Sequence, residues 1–444
     1  MGPLVVVGGN AAGMSAAAEA RRTDPALPIT VLEGGPDASY SACGIPYVIS
    51  GEVAGLGALV TAPPEEFRRT RDIDVRTGAE AIGIDPEARR LTLAGGEEVP
   101  YGALVVATGA RPLRPGIPGA DHPGVHVLRD LESARDLEAA LAPHVRARAV
   151  LVGSGPIGLE TAEALLARGA HVTVVEIAPQ VLPALSPVAA APVAAALAAA
   201  GVRVRTGATV SEIARDGDGL AVVVDGERLP ADLVVLGTGV APETRLAAAA
   251  GCALGDRDAI LVDRRGRTSV PGIWAAGDCA VAHHQVLDRP VWMPLATIAN
   301  AQGRMTGRDA AGGEGRYAGA IGSWVSRFRD VAFGSAGLDE AAAADAGFTP
   351  RAIAREGRDR SGYMPGVLRV LARLVWDAPT GRLLGAQLAG EAAVAPRLHT
   401  AAAAIGAGMT IRELAESDFA YAPPVAALRD PLELAAAAAI GDAR

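Results

Sequence analysis

One pattern occurs twice in this chain and leaves it few ways to fold: an apolar strand, a glycine-rich turn, a helix, and a second strand ending on an acid. The first copy runs through Leu4-Val5-Val6-Val7, Gly8-Gly9-Asn10-Ala11-Ala12-Gly13, an alanine-rich helix to about Arg22, and Ile29-Thr30-Val31-Leu32-Glu33. The second runs through Ala149-Val150-Leu151-Val152, Gly153-Ser154-Gly155-Pro156-Ile157-Gly158, a helix, and Val172-Thr173-Val174-Val175-Glu176. Parallel strands require such a crossover, and the glycines let the backbone turn tightly beneath a pyrophosphate held at the new helix N-terminus. Gly8 permits the first turn and Gly13 allows close packing of helix on strand. Asn10, next to Ala11 and Ala12, takes the middle glycine position and relaxes this copy. Gly153, Gly155 and Gly158 complete the second copy. Glu33 and Glu176 stand where a carboxylate accepts hydrogen bonds from a ribose, and at Glu176 this favours NADH over the 2'-phosphate of NADPH. No Lys or Arg lies between Glu176 and Arg203. NADPH stays open, because a basic residue can reach that site from elsewhere in the fold.

The 444 residues allow about three domains. Half are hydrophobic, enough for large cores. A net charge of -9 without a basic tail argues against a nucleic-acid partner. Three cysteines make no disulfide framework, and Met1-Gly2-Pro3-Leu4 leads straight into a strand, so the expected compartment is the cytoplasm. The alanine-rich run Val188 to Ala200 is broken by Pro192 and is poor membrane material. No membrane partner and no metal site are expected.

Cys43 lies in Ser39-Tyr40-Ser41-Ala42-Cys43-Gly44-Ile45-Pro46-Tyr47. A helix is expected to begin at Gly44 to Pro46, since proline suits a first helical position. The thiol would then meet a helix N-terminus, which stabilises a thiolate. The next cysteines, Cys252 and Cys279, are distant in sequence and read as structural, so Cys43 works alone or with sulfur brought by a substrate. Two dinucleotide sites in one chain imply that one nucleotide stays and the other visits; a flavin and a nicotinamide form the natural pair.

Three more segments extend the pattern: Val105 to Pro112 with Thr108 and Gly109, Leu236 to Pro242 with Gly239, and Gly272 to Cys279 with Gly277 and Asp278. With them the chain resembles the FAD-dependent pyridine nucleotide-disulfide oxidoreductases, whose crossover segments and second FAD motif look like these. The resemblance implies that Asp278 binds the flavin's ribityl or phosphate region, and that Pro294 to Arg304, with Ala296 and Thr297, forms the helix beside the flavin ring. It implies an α/β fold with two Rossmann-like dinucleotide-binding domains plus a C-terminal α+β dimerisation domain. The expected boundaries are 1–112 and 241–319 for the FAD domain, 113–240 for the NAD(P) domain and 320–444 for dimerisation.

Within this superfamily the chain resembles the single-cysteine branch that holds coenzyme A-disulfide reductases, persulfide reductases and NADH oxidases, and Ser39, Cys43, Pro46 and Tyr47 match the pattern of the coenzyme A-disulfide reductases better than that of the oxidases, which usually lacks the Pro-Tyr. Asn10 and Ala11 stand where the branch's peroxidases carry a histidine. The resemblance implies that NADH reduces FAD and that Cys43 exchanges with a small disulfide or persulfide, with Ser39 beside the substrate. Arg22, with Arg69 or Arg71, would cradle coenzyme A phosphates, with a solvated surface charge as the equally weighted alternative. Glu19 departs from the branch's frequent lysine, and Pro156 from its flavin-covering tyrosine. The segment Asp418 to Pro424 implies a homodimer in which Tyr421, and with a weaker match Tyr363, reach the partner's cysteine. Alternatives are an NADH oxidase cycling through a sulfenic acid and a flavin-bearing redox sensor.

Overall fold

The computed structural model describes residues 2–441. Its first sheet is wholly parallel, ordered Ile273–Ala275, Ala103–Val106, Leu4–Val7, Ile29–Leu32, Ile73–Arg76. Parallel strands are covered on both faces and therefore read as continuous apolar runs, as Leu4 to Val7 and Ala103 to Val106 do. Helix Ala11–Thr23 packs on helix Ala296–Ala310 almost backbone to backbone. A Cβ on Gly303 would lie 2.3 Å from the Ala12 carbonyl oxygen, and one on Gly307 would lie 2.1 Å from that of Ala16. This close crossing sets the start of the later helix, at Ala296 and Thr297, relative to the first glycine turn.

The second parallel sheet runs Arg203–Thr206, His171–Glu176, Arg148–Val152, Leu233–Leu236, Val125–His126. Chain segments on both sides of it in sequence build the first sheet. The resembled crossover segments meet, with Ala110–Pro112 pairing antiparallel to Val240–Pro242. A third, antiparallel sheet is ordered Trp324–Phe328, Val331–Gly337, Leu383–Gly390, Arg369–Asp377, Pro350–Arg358 and packs against helices Val394–Gly406 and Pro431–Gly441. The whole is the expected mixed α/β architecture with an α+β C-terminal part.

Phe328 and Phe333 of the third sheet are fully buried in one core with Leu151 of the second sheet and Leu159 and Leu165 of helix Pro156–Ala167. Trp324 meets the Phe333 ring edge-on, with centroids 6.2 Å apart. The Gln387 side chain accepts a bond of 2.9 Å from the Ser186 amide, fastening the same junction. Among the described residues no helix is long and apolar enough to cross a membrane.

Candidate active site

The first glycine turn is as tight as its sequence suggests. Gly8 has φ 108°, and a Cβ there would lie 2.2 Å from the Ala107 carbonyl oxygen. A Cβ on Gly13 would lie 1.9 Å from the Gly8 oxygen. Asn10 starts the helix without a side-chain cap, so first-turn amides are left for an external anion. Glu33 accepts from the Gly9 amide at 2.7 Å and the Gly35 amide at 2.9 Å, which holds its carboxylate at the strand end beside the turn. Gly277 stands against Ala12, and a Cβ there would come within 2.6 Å of the alanine's own. Asp278 follows, 3.4 Å from the Arg129 guanidinium. Burial pushes the Asp278 carboxyl upward while Arg129 opposes it. Arg129 also donates to the Ala110 carbonyl at 3.1 Å and borders Gly109, while Thr108 donates to the Glu243 carbonyl at 2.6 Å. A close backbone turn, an uncapped helix and a flanking carboxylate fit an FAD pyrophosphate and ribose.

The second turn repeats the geometry. A Cβ on Gly153 would lie 2.4 Å from the Gly237 oxygen and one on Gly158 would lie 2.5 Å from the Gly153 oxygen, whereas Gly155 faces open space. Pro156 occupies the first turn of helix Pro156–Ala167, where its missing N–H costs nothing. Gly239, with φ 96°, immediately precedes the second crossover strand, Val240–Pro242. Glu176 is buried rather than presented freely. Its carboxylate accepts from the Ser154 amide at 2.8 Å, the Ser154 hydroxyl at 2.7 Å and the Ala178 amide at 2.8 Å. Ser154 thus fastens the turn to the strand end, a structural duty that sequence reading left out.

Cys43 sits in a short 3₁₀ turn, Ala42–Gly44, ahead of helix Ile45–Ser50 with Pro46 in its first turn. The helix begins where expected, but the expected thiolate stabilisation is absent. Burial by neighbouring protein and the carboxylates of Glu160 and Asp278 push the thiol above its ordinary range, with Arg129 opposing. Cys43 is nevertheless exposed, whereas Cys252 and Cys279 are buried. Ser39, with φ 54°, donates its amide to the Gly9 carbonyl at 2.7 Å and so ties the Cys43 loop to the first glycine turn.

The arginines expected to bind substrate differ in their partners. Arg22 donates to Glu19 at 2.9 Å, and Arg308 donates to the other Glu19 oxygen at 2.9 Å. Glu19, Arg22, Thr23, Arg308 and Gly313 line a pocket of about 390 Å³. Arg22 is therefore not a free cation: Glu19, the departure from lysine, already answers it. Arg69 and Arg71 are exposed on helix Pro64–Arg71, and Arg71 lies 5.2 Å from the Phe67 ring centroid. Arg21 donates to the Arg71 and Asp72 carbonyls, which brings the ends of the two helices together.

Tyr363 and Tyr421, both exposed, meet at one place with Ser361. Sequence reading missed Glu160, Arg129, Ser326 and Arg327. Glu160 had a visible address, four positions beyond Pro156, but no signal in sequence paired it with Ser326. Only the packing of the third sheet on the second does so.

A family model described as "Pyridine nucleotide-disulphide oxidoreductase" matches residues 2–303, and the family's dimerisation domain matches residues 325–431. The chain belongs to the pyridine nucleotide-disulfide oxidoreductases, FAD- and NAD(P)H-using enzymes. It is 34% identical to an NADH oxidase of Methanocaldococcus jannaschii, with 97% of each chain covered. It is 35% identical to an NAD(P)H coenzyme A polysulfide/persulfide reductase of Pyrococcus horikoshii, covering 97% of this chain and 96% of that one. Its fold matches an NAD-dependent persulfide reductase from A. fulgidus with a TM-score of 0.96 at 36% identity, over 99% of this chain and 83% of the other.

Proposed function

We propose that this protein is a homodimeric reductase of small disulfides or persulfides, with coenzyme A as the thiol carrier, and that Cys43 is its single redox-active sulfur. The observation that carries this reading is that Cys43 alone of the three cysteines is exposed, with Asp278 of the FAD motif and Glu160 of the second glycine-turn helix as its charged neighbours. The domains follow the boundaries given above, with NADH seated on Gly153 to Gly158 and FAD on Gly8 to Gly13, Glu33, Thr108, Gly109, Gly239, Gly277 and Asp278. Bound FAD would relay two electrons from the nicotinamide to sulfur.

The protein's own part is to present sulfur and manage protons. The Cys43 thiolate attacks one sulfur of the incoming disulfide; a new S–S bond forms, the old one breaks, and the second sulfur leaves as a thiol after taking a proton. Two electrons originating in NADH then cleave the mixed disulfide and return Cys43 to the thiolate, with the bound thiol released on protonation. Tyr421 and Tyr363 of the partner subunit are suited to donate those protons. Arg22, Arg69 and Arg71 are suited to coenzyme A phosphates, provided that phosphate competes with Glu19 for Arg22.

The test is NADH oxidation by the FAD-loaded enzyme under anaerobic conditions with coenzyme A disulfide, polysulfide or no acceptor, with thiol release measured alongside. Turnover and thiol release only with a sulfur acceptor support the reading. A second reading, NADH oxidase, is favoured by the M. jannaschii relative; oxygen consumption with no thiol release in a parallel aerobic assay would establish it. NADPH more efficient than NADH in the same assay would refute the cofactor preference assigned to Glu176.

A further inference from the structure

The two exposed tyrosines stand on segments far apart in the chain that are tied together beneath the surface. Tyr363 lies in the loop joining antiparallel strands Pro350–Arg358 and Arg369–Asp377. Asp359 closes that loop twice over: its amide donates to the Leu368 carbonyl at 3.0 Å, and its carboxylate accepts from the Leu368 amide at 2.9 Å. Tyr421 lies in the segment that leads into helix Pro431–Gly441. The Ser361 amide donates to the Pro423 carbonyl at 3.1 Å, so loop and segment share a backbone hydrogen bond.

Arg397, on helix Val394–Gly406, fastens both from within. It is only 8% exposed, and its guanidinium spreads over three acceptors. Nε donates to the Asp430 carboxylate at 2.8 Å, one Nη to the Asp359 carbonyl at 3.4 Å and the other to the Ala393 carbonyl at 3.2 Å. The second Asp430 oxygen accepts from the Leu432 amide at 2.9 Å, so the acid that answers Arg397 also starts the last helix. The Asp359 carboxylate has its own cation in Arg360, 2.7 Å away. The last helix presses on the strand that carries the loop: a Cβ on Gly357 would lie 2.9 Å from the Pro431 ring. A planar guanidinium fork can bridge acceptors in several directions, whereas a lysine offers one point of charge.

We propose that Arg397 is a positioning residue for the proton donors: by joining Asp359 to Asp430 it fixes Tyr363 and Tyr421 relative to each other and presents them to the second subunit's sulfur as one unit. This rests on the shared-site reading given above. Two hydroxyls that serve one departing sulfur tolerate little displacement, since a misplacement of about 1 Å can cost about 10²-fold in rate even when it originates far from the chemistry.

The test uses the FAD-loaded enzyme in two assays, flavin reduction by NADH in stopped flow and turnover with coenzyme A disulfide. Arg397→Lys keeps a charge opposite Asp430 and gives up the fork. It should lower kcat for the disulfide by about tenfold or more, while flavin reduction and FAD content stay as in wild type. In a Tyr421→Phe background the same substitution should cost less than about twofold more, because residues that act through one group are not additive. Asp430→Asn keeps an acceptor for the Leu432 amide, removes the ion pair from the other side and should behave alike; it takes over the test if Arg397→Lys fails to fold. Hydrogen exchange should rise together in 359–368 and 418–428. Full turnover in both single variants, an undiminished loss in the Tyr421→Phe background, or wild-type exchange in both segments overturns the inference. If Tyr421→Phe alone turns over at the wild-type rate, the role given to the tyrosines falls instead, and the exchange result decides for or against the clamp by itself.

Discussion

Tyr421 and Tyr363, both exposed, meet over the buried Ser361, with the Tyr421 hydroxyl 3.4 Å from the Ser361 oxygen. Hydrogen bonds from Ser361 and then Tyr363 draw the Tyr421 hydroxyl below the usual tyrosine range. Two segments far apart in sequence thus present paired hydroxyls on the outside of the C-terminal domain, where a second subunit could receive them. Tyr421→Phe is expected to slow disulfide turnover by about 10²-fold, the lower end for a positioned acid, while reduction of the flavin by NADH is unchanged in stopped flow. Mixing this variant with Cys43→Ser should restore activity through heterodimers that hold one intact site. No recovery after verified subunit exchange would count against a shared site.

Cys43→Ser should abolish disulfide turnover and leave FAD content intact, since the flavin turn is built by Gly8, Gly13 and Gly277 without the sulfur. Intact mass of the unreduced wild type should show a coenzyme A or sulfur increment that dithiothreitol removes. Disulfide reduction by the serine variant at the wild-type rate would eliminate Cys43 from the chemistry.

Gly13 and Gly155, one from each glycine turn, predict opposite outcomes for the same substitution. Gly13→Ala places a methyl 1.9 Å from the Gly8 carbonyl oxygen, so this variant should purify without flavin or fail to fold. Gly155→Ala meets nothing within 4 Å and should fold and retain FAD. Its methyl would occupy the space kept for the visiting pyrophosphate, raising KM for NADH by about tenfold, equivalent to about 1.4 kcal/mol. Loss of FAD from Gly155→Ala would contradict this division of labour.

Glu19 should govern acid stability at one end of the FAD domain. Burial alone would raise its carboxyl, but the hydrogen bonds and charges of Arg22 and Arg308 more than offset that, leaving it below the ordinary glutamate value. Its stabilisation is therefore fully present above the unfolded-state value and fades as pH falls through the lower folded-state value. Both arginines are partly exposed, so solvent screening limits the effect. Glu19→Gln should cost about 1–2 kcal/mol at neutral pH and flatten the dependence of the melting temperature on pH below about 5. An unaltered acid profile would show that the two ion pairs contribute nothing net.

The two dinucleotide units are legible along the chain, because their requirements are local. A turn that admits no Cβ must be glycine, and a strand covered on both faces must be apolar, so Gly8, Gly13, Gly153 and Gly158 and the strands before them declare themselves in order. The isolation of Cys43 was equally plain from the spacing of the cysteines. Only the tertiary structure decided what surrounds that sulfur. Arg129 reaches Asp278 across 149 residues, and Ser326 reaches Glu160 across 166. Neither pairing leaves a periodic or spaced trace in the chain. The same holds for Glu19, legible as a missing lysine but not as the shared partner of Arg22 and Arg308, and for the raised Cys43 thiol. Helix position alone pointed the other way; the electrostatic balance at a residue is summed over everything that packs around it, and packing is not written in any one segment.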